Sequence, residues 1–338
     1  MKQLGYLYIF LLLLLGCTST GKRNEALLKE RNFAVSRDVL VSDSMKIEDT
    51  FDLLAWTIGK DAVAFVTYGL TEGFLSVYSY PACQKLYDDG KIGQGPDEFI
   101  TLNAGNTSNK GSLILYDIMG RKLQQLAVRT DSVHVLQSLP LYVNQDGFCK
   151  PFTDISLVDG NRYLMKVDDM QTSAWELADL EQGNVVDSYV NPIRKADTSY
   201  TPFDFIQSVS DSIFLVAYKY IDRIEMYSIS ANKIHPLLVY GSSQDLSDLE
   251  DYNDLSYYYI SVLSHAGHFY CLKSTDGTEN GKIVEVYNLK GDCLAIYLLE
   301  REVASLAMDT ERCLVGYAPE IDGTVLYRFS LPSEKRYE

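Results

Sequence analysis

Gly93-Gln94-Gly95-Pro96-Asp97-Glu98-Phe99 stands between two strand-like runs, Gln84–Asp88 and Ser112–Asp117. Gly93 and Gly95 can take φ > 0, and Pro96 fixes φ and donates no N–H, so the stretch predicts a tight, fixed chain reversal. Asp97 and Glu98 can accept hydrogen bonds from loose backbone N–H groups, and Phe99 can anchor the loop in apolar packing. The reading is structural before it is functional: Gly95 is expected to need a backbone geometry that a β-carbon penalises, and Phe99 to be buried.

Outward from this loop the chain repeats. A polar turn between two apolar runs recurs six times, centred near Lys60, Lys110, Gly160, Asp211, Gly267 and Glu311. The flanking runs are short and rich in Val, Ile, Leu, Tyr and Phe, and no long helical period competes with them. In the second unit the first run, around Ile100–Ala104, is weak. Each unit continues with a further pair, for example Phe74–Tyr80 with Gln84–Asp88, or Arg223–Ile229 with Lys233–Leu238. Four strands per unit, A to D, repeated six times predict an all-β, six-bladed β-propeller of antiparallel blades. The sixth unit has three strands, ending with Thr324–Phe329. Arg37–Asp43, with alternating Val39 and Val41, is the spare strand expected to close the last blade and remove an exposed edge. Two β-sandwiches are the rival fold, and the regular spacing argues against them.

The loop resembles the G-x-G-P-x-E-F signature of TolB-like six-bladed β-propeller lipoproteins common in Bacteroidota. Ile114-Leu115-Tyr116-Asp117 followed by Arg121-Lys122-Leu123 is similar to the strand-turn-strand that follows the signature there. The resemblance covers about Arg37–Leu331, with Asp97 where glycine is frequent. It implies a propeller fold and an envelope address, and it supplies no reaction and no catalytic residues.

Residues 1–16 read as a lipoprotein signal peptide. Lys2 gives the n-region charge, and Leu4–Leu15 is an apolar run too short to span a bilayer comfortably. It ends in Leu14-Leu15-Gly16-Cys17, a lipobox that makes Cys17 the lipidated residue. Residues 17–36 read as a flexible tether, 37–331 as the propeller and 332–338 as a C-terminal tail. The expected address is the cell envelope, anchored to a membrane, the outer membrane first; periplasmic and surface-facing placements are both open. The formal charge of −16 argues against nucleic acid, which needs clustered Lys and Arg. Beyond Cys17, the cysteines Cys83, Cys149, Cys271, Cys293 and Cys313 form no CxxC pair, so buried free thiols are expected.

Catalytic motifs are absent from the sequence: there is no Gly-x-Ser-x-Gly elbow, no His-Glu-x-x-His and no phosphate-binding glycine loop. His265-Ala266-Gly267-His268 reads as a solvated turn sooner than a metal site. Asp276–Gly281 has the look of a calcium loop, but Tyr287 stands where the bidentate Glu belongs. Asp154, Asp204 and Asp309 fall at or near strand A ends, where capping a turn is the expected role. No metal and no cofactor is expected.

The up-and-down order puts all D–A and B–C connections at one end of the ring. The long segments there are Gly90–Phe99, Pro140–Asp154, Asn191–Pro202 and Val239–Tyr258. They carry Tyr142, Tyr200, Tyr252 and Tyr257, and the last segment adds Asp245, Asp248, Glu250, Asp251 and Asp254. Aromatic rings beside carboxylates suit a neutral glycan or a basic peptide. The plainer possibility is that the tyrosines pack the loops and the acids are solvated. The expected function is therefore a monomeric, lipid-anchored binding module, with a glycan, peptide or envelope protein as partner. A hydrolase or lactonase with a channel-mouth metal, and a structural envelope component, are the alternatives.

Overall fold

The strands follow from burial. In a blade the two middle strands are covered on both faces, so strand B of blade 1, Ala62-Val63-Ala64-Phe65-Val66-Thr67, is buried at every position. Strand D of the same blade, Lys85–Lys91, is mostly exposed and correspondingly polar. A computed structural model describes residues 27–29, 37–68, 72–107, 111–141, 152–168, 173–191, 205–241 and 256–332. Among these there is no helix, and the strands form six antiparallel blades.

Three strands precede the first blade: β1 (Leu27–Lys29), β2 (Arg37–Leu40) and β3 (Ser42–Ile47). Blade 1 runs from Leu53–Ile58 through Ala62–Thr67 and Glu72–Ser79 to Lys85–Lys91. Blade 2 has Asn103–Gly105, Ser112–Asp117, Lys122–Val128 and Val133–Pro140; its strand A is only three residues long, which is why its apolar signal is weak. Blade 3 has Asp154–Asp159, Arg162–Asp168, Ser173–Asp179 and Asn184–Val190. Blade 4 has Phe205–Ser210, Ile213–Tyr218, Arg223–Ser230 and Lys233–Gly241. Blade 5 has Tyr259–His265, His268–Ser274, Gly281–Asn288 and Cys293–Val303. Blade 6 has Ser305–Met308, Cys313–Glu320 and Gly323–Ser330. Six hydrophobic clusters each straddle two neighbouring blades, so the core is six seams around a ring.

The ring is closed by an N-terminal strand, but not by the one expected. β3 pairs antiparallel with strand C of blade 6, Thr324 against Ile47 through Phe329 against Ser42. Arg37–Leu40, the core of the expected closing strand, pairs in parallel with strand D of blade 5, Arg37 against Ile296 and Leu40 against Leu299. Val39 and Val41 alternate as a half-buried strand would, yet both point outward, 62% and 71% exposed, while Leu40 between them is buried. β1, within the stretch read as a tether, pairs in parallel with strand D of blade 4, Leu27 against Leu238. β1, β2 and β3 thus lie on the outer side of blades 4, 5 and 6 in turn.

The strand D of each of blades 1 to 5 carries a bulge at the same place. The register skips Leu86, Leu136, Val186, Leu237 and Leu294, each opposite the middle or the second half of strand C. A bulge bends and twists an outer strand and disrupts edge pairing locally. β1 and β2 join strand D of blades 4 and 5 on the residues that follow the bulge. β3 pairs without a bulge.

At the seam between blades 6 and 1, Asp309 is 1% exposed and acts as a hub. It accepts the Tyr80 hydroxyl of blade 1 at 3.0 Å and Arg328 Nε of strand C at 2.8 Å. The backbone N–H groups of Glu311 and Cys313 donate to its other oxygen. This is the turn-capping role expected of Asp309, with the closure of the ring added to it.

Candidate functional site

The end of the ring where the D–A and B–C connections meet is fixed from below by buried polar side chains. The signature loop is the first of these. Gly93 N–H donates to Phe99 O (2.8 Å) and Phe99 N–H to Lys91 O (3.0 Å), which closes the reversal on itself. Glu98 folds back over the turn and takes the Gly95 N–H at 2.8 Å. Neither glycine adopts a positive φ. The expected backbone requirement at Gly95 is therefore replaced by a requirement for space: a β-carbon on Gly93 would stand 2.1 Å from Glu98 Oε2, and one on Gly95 2.9 Å from its Cδ. Phe99 is 2% exposed and meets Phe74 edge-on at 5.7 Å, in the seam between blades 1 and 2. Lys122 lies over the Phe99 ring and donates to Pro96 O and Glu98 O.

The chain leaving the loop is held by Asp117, at the end of strand B of blade 2. This fully buried carboxylate accepts from the N–H groups of Ile100, Thr101 and Gly120 and from the Thr101 hydroxyl. Burial pushes its pKa up, but these hydrogen bonds outweigh burial and hold it below the ordinary carboxylate value. Asp309 behaves alike, burial being overcome by Arg328, the Cys313 N–H and the Tyr80 hydroxyl. A depressed folded pKa means that the unfolded chain binds protons more readily. The stabilisation is then complete above the unfolded value of about 3.9 and is lost as pH falls through the folded value. Urea midpoints measured from pH 7 down to pH 3 are expected to fall at the acid end, and to fall less steeply in Asp309→Asn. An equal slope in that variant would remove Asp309 from the account.

Two further carboxylates lie in blades 4 and 5, on the third and fifth residues of strand C. Glu225 is paired with Arg223 at 2.7 Å and accepts the Tyr227 hydroxyl; Tyr218 stands beside it and takes the Asn191 amide at 2.9 Å. Burial, and then Glu225, raise the pKa of both tyrosines well above the ordinary value, so they stay protonated donors. Glu285 accepts the hydroxyls of Tyr259 (3.0 Å) and Tyr287 (2.8 Å), and Lys273 bridges to Asp222 of blade 4 at 2.8 Å. The sequence reading missed both clusters. Their signal was the recurring Glu-x-Tyr, Glu225-Met226-Tyr227 and Glu285-Val286-Tyr287, with each Glu opposite the fourth residue of strand B.

Of the four tyrosines expected at the ligand face, Tyr142, Tyr200 and Tyr252 lie outside the described residues. Tyr257 is half-buried; its hydroxyl donates to Glu279 at 2.6 Å and its ring lies 5.1 Å from that of Tyr220. Both partners sit on B–C loops, so Tyr257 joins the loops of blades 4 and 5. The Glu279 hydrogen bond, then that of Tyr220 and burial, raise its pKa.

The central channel holds a cavity of about 400 Å³ lined by strand A residues of several blades. Its polar groups are mainly hydroxyls and amides, including Thr57, Asn106, Thr107, Ser208, Ser261 and Ser305, with the His265 imidazole beside them, and among the described residues no Asp, Glu, Lys or Arg lines it. Many of these groups tie neighbouring strands together: Trp56 Nε1 donates to Ser305 Oγ at 3.0 Å, and Asn106 Nδ2 to Asp154. Strands A of blades 2 and 3 touch through backbone at Asn106 and Ser156, and a β-carbon on Gly105 would meet Ile155 at 2.5 Å. Asp154 thus joins two blades; Asp204 lies outside the described residues. His268 Nδ1 is within hydrogen-bonding distance of Ala266 O, 2.9 Å. Among the described residues no three His, Cys, Asp or Glu side chains group as metal ligands. Cys83, Cys271, Cys293 and Cys313 are free thiols, Cys271 and Cys313 buried and the other two partly so.

No family model matches the chain, and no curated protein matches it. Solved structures do. Over 86% of its length the chain is similar to 96% of a luciferin-regenerating enzyme, with a TM-score of 0.50 and 11% identity. It is similar to Chaetomium thermophilum Raptor at a TM-score of 0.46 and 11% identity, over 87% of this chain and 29% of that one, so it spans less than a third of Raptor. The Dos1 propeller gives a TM-score of 0.45 and 9% identity over 86% of this chain and 95% of that chain. At these identities the likeness is one of fold.

Proposed function

We propose that the protein is a lipid-anchored β-propeller of the cell envelope that binds a neutral glycan, or second to that a basic peptide, through the face carrying its D–A loops. The observation that carries this reading is the contrast at that end of the ring. The base of the face is locked by Asp117, Glu225, Glu285 and the Gly93–Phe99 knot. The connections that leave the strands at that end are, by their length in the sequence, longer than ring closure requires, and such connections are where a rigid scaffold usually places recognition. The acidic stretch within Val239–Tyr258 disfavours polyanions.

The test is calorimetric titration of residues 20–338 with neutral oligosaccharides and with a Lys-rich peptide. A ligand of the wild type is expected to lose at least tenfold in affinity in a Tyr252→Ala, Tyr257→Ala double variant whose circular dichroism is unchanged. Because Tyr257 also bonds Glu279, Tyr257→Phe serves as control for loss of that bond alone. Equal binding by the wild type and the double variant would place the site elsewhere.

The anchor is Cys17. In a host that processes lipoproteins, Cys17→Ala is expected to accumulate uncleaved precursor and to take up no labelled fatty acid; undiminished labelling would remove the anchor from this reading. Residues 18–26, the only chain between Cys17 and β1, reach about 30 Å at 3.3–3.6 Å per residue. The anchor would thus hold the rim of blade 4 close to its membrane.

A further inference from the structure

The anchor proposed at Cys17 joins the ring through β1, and the direction of β1 is fixed. It pairs in parallel with strand D of blade 4, Leu27 against Leu238 and Lys29 against Tyr240. That strand runs from the C–D turn at Ala231-Asn232 toward the connection into blade 5. The chain before Leu27 therefore meets β1 from the side of the A–B and C–D turns. Leu238 lies five residues from the start of strand D at Lys233, about 17 Å at about 3.4 Å per residue. Residues 18–26 reach about 30 Å, so they can carry Cys17 past that end of the ring without a reversal. Reaching a membrane at the other end would require the chain to turn back at β1.

The two ends of the ring also differ in charge. At the turn end acids and cations are matched: Lys60 stands beside Asp61, Arg129 near Asp131 and Lys290 near Asp292, and Arg328 pairs with both Asp309 and Glu311. Among the described residues only Glu181 and Asp211 lie in turns without a cation. At the loop end, Glu48–Asp52 carries three acids, Asp276–Asn280 two and the sequence from 242 to 258 five, and none of these segments holds a cation. Arg121 and Lys219 are the cations of the described connections there. An anionic bilayer therefore repels the loop end far more than the turn end.

We propose that the anchored protein stands with its A–B and C–D turns against the surface of an anionic lipid bilayer and its D–A loops directed away from it. This rests on the Cys17 anchor of the preceding reading and adds which surface the membrane covers. The recognition face is thereby turned toward ligands arriving from water, whichever ligand it takes.

The test uses the acylated full chain, floated with vesicles of mixed phosphatidylcholine and phosphatidylglycerol that carry a headgroup dye. A fluorescent side chain is introduced at one exposed position at a time: 60 or 290 in turns of blades 1 and 5, 97 or 275 in loops at the other end. Energy transfer to the dye is expected to be at least twofold stronger from 60 and 290 than from 97 and 275. Equal transfer from all four, or stronger transfer from 97 and 275, would overturn the orientation and leave the anchor in place. Transfer stronger from 290 and 275 than from 60 and 97 would show the ring standing on the edge nearest blade 4, and overturn it as well. A chain that does not float with the vesicles would overturn the anchor and the orientation together.

Discussion

A chain that begins at Glu48 is expected to aggregate, whereas one that begins at Val41 is expected to remain a folded monomer. The first lacks β3 and so exposes strand C of blade 6, Gly323–Ser330, as an open edge along six paired positions. It also loses Ile47, which is 1% exposed in the seam between blades 6 and 1. Removing an aliphatic side chain of that burial costs about 2–5 kcal/mol before the lost strand pairing is counted. The exposed Lys46–Asp322 pair adds little to this. The chain from Val41 loses β1 and β2, which lie on the outer edges of blades 4 and 5 and cap strands already paired on their inner side. It keeps the bond from Ser42 N–H to Glu300 that seats β3 against blade 5. Light scattering after size exclusion, with thermal melts, separates the two cases. A monomeric Glu48 chain with an unchanged melting temperature would mean that β3 does not hold the ring shut.

Phe99→Ala is expected to cost about 3–5 kcal/mol. Phe99 fills the seam between blades 1 and 2 under the knot, touching Phe74 and lying beneath Lys122. Its ring is the part of the loop that enters the core, so the cavity left behind cannot be closed without moving Gly93–Glu98. At about 2–4 °C per kcal/mol the melting temperature should fall by roughly 6–20 °C. Gly93→Ala reaches the same knot from the other side by displacing the Glu98 carboxylate, and is expected to lower the melting temperature too. Melting temperatures within 2 °C or so of the wild type in both variants would show that the loop is not a structural anchor.

The number of blades was legible because it rests on a local signal. Strand-length runs separated by turns repeat about every fifty residues, and the buried strands B carry a continuous apolar centre, such as Leu113-Ile114-Leu115-Tyr116. Two-residue turns such as Ala231-Asn232, both in the left-handed region, join strands whose pairing is equally local. The closing strand was not legible for the converse reason. β3, Ser42-Asp43-Ser44-Met45-Lys46-Ile47, lies on an outer edge where few positions are buried, so its sequence is polar and its apolar period faint. Val39 and Val41 gave a stronger strand signal for a segment that belongs to the neighbouring blade 5.

Apolar spacing and turn chemistry along the chain were enough to establish the all-β class, the six repeats and the burial of Phe99. Packing in three dimensions was needed to show which N-terminal strand closes the ring, that a β-carbon on Gly93 or Gly95 would displace the Glu98 carboxylate, and that Asp309 binds blade 6 to blade 1 through Tyr80. Each of these depends on which atoms meet across a seam or fold back over a turn, and packing at that scale leaves no period in the sequence.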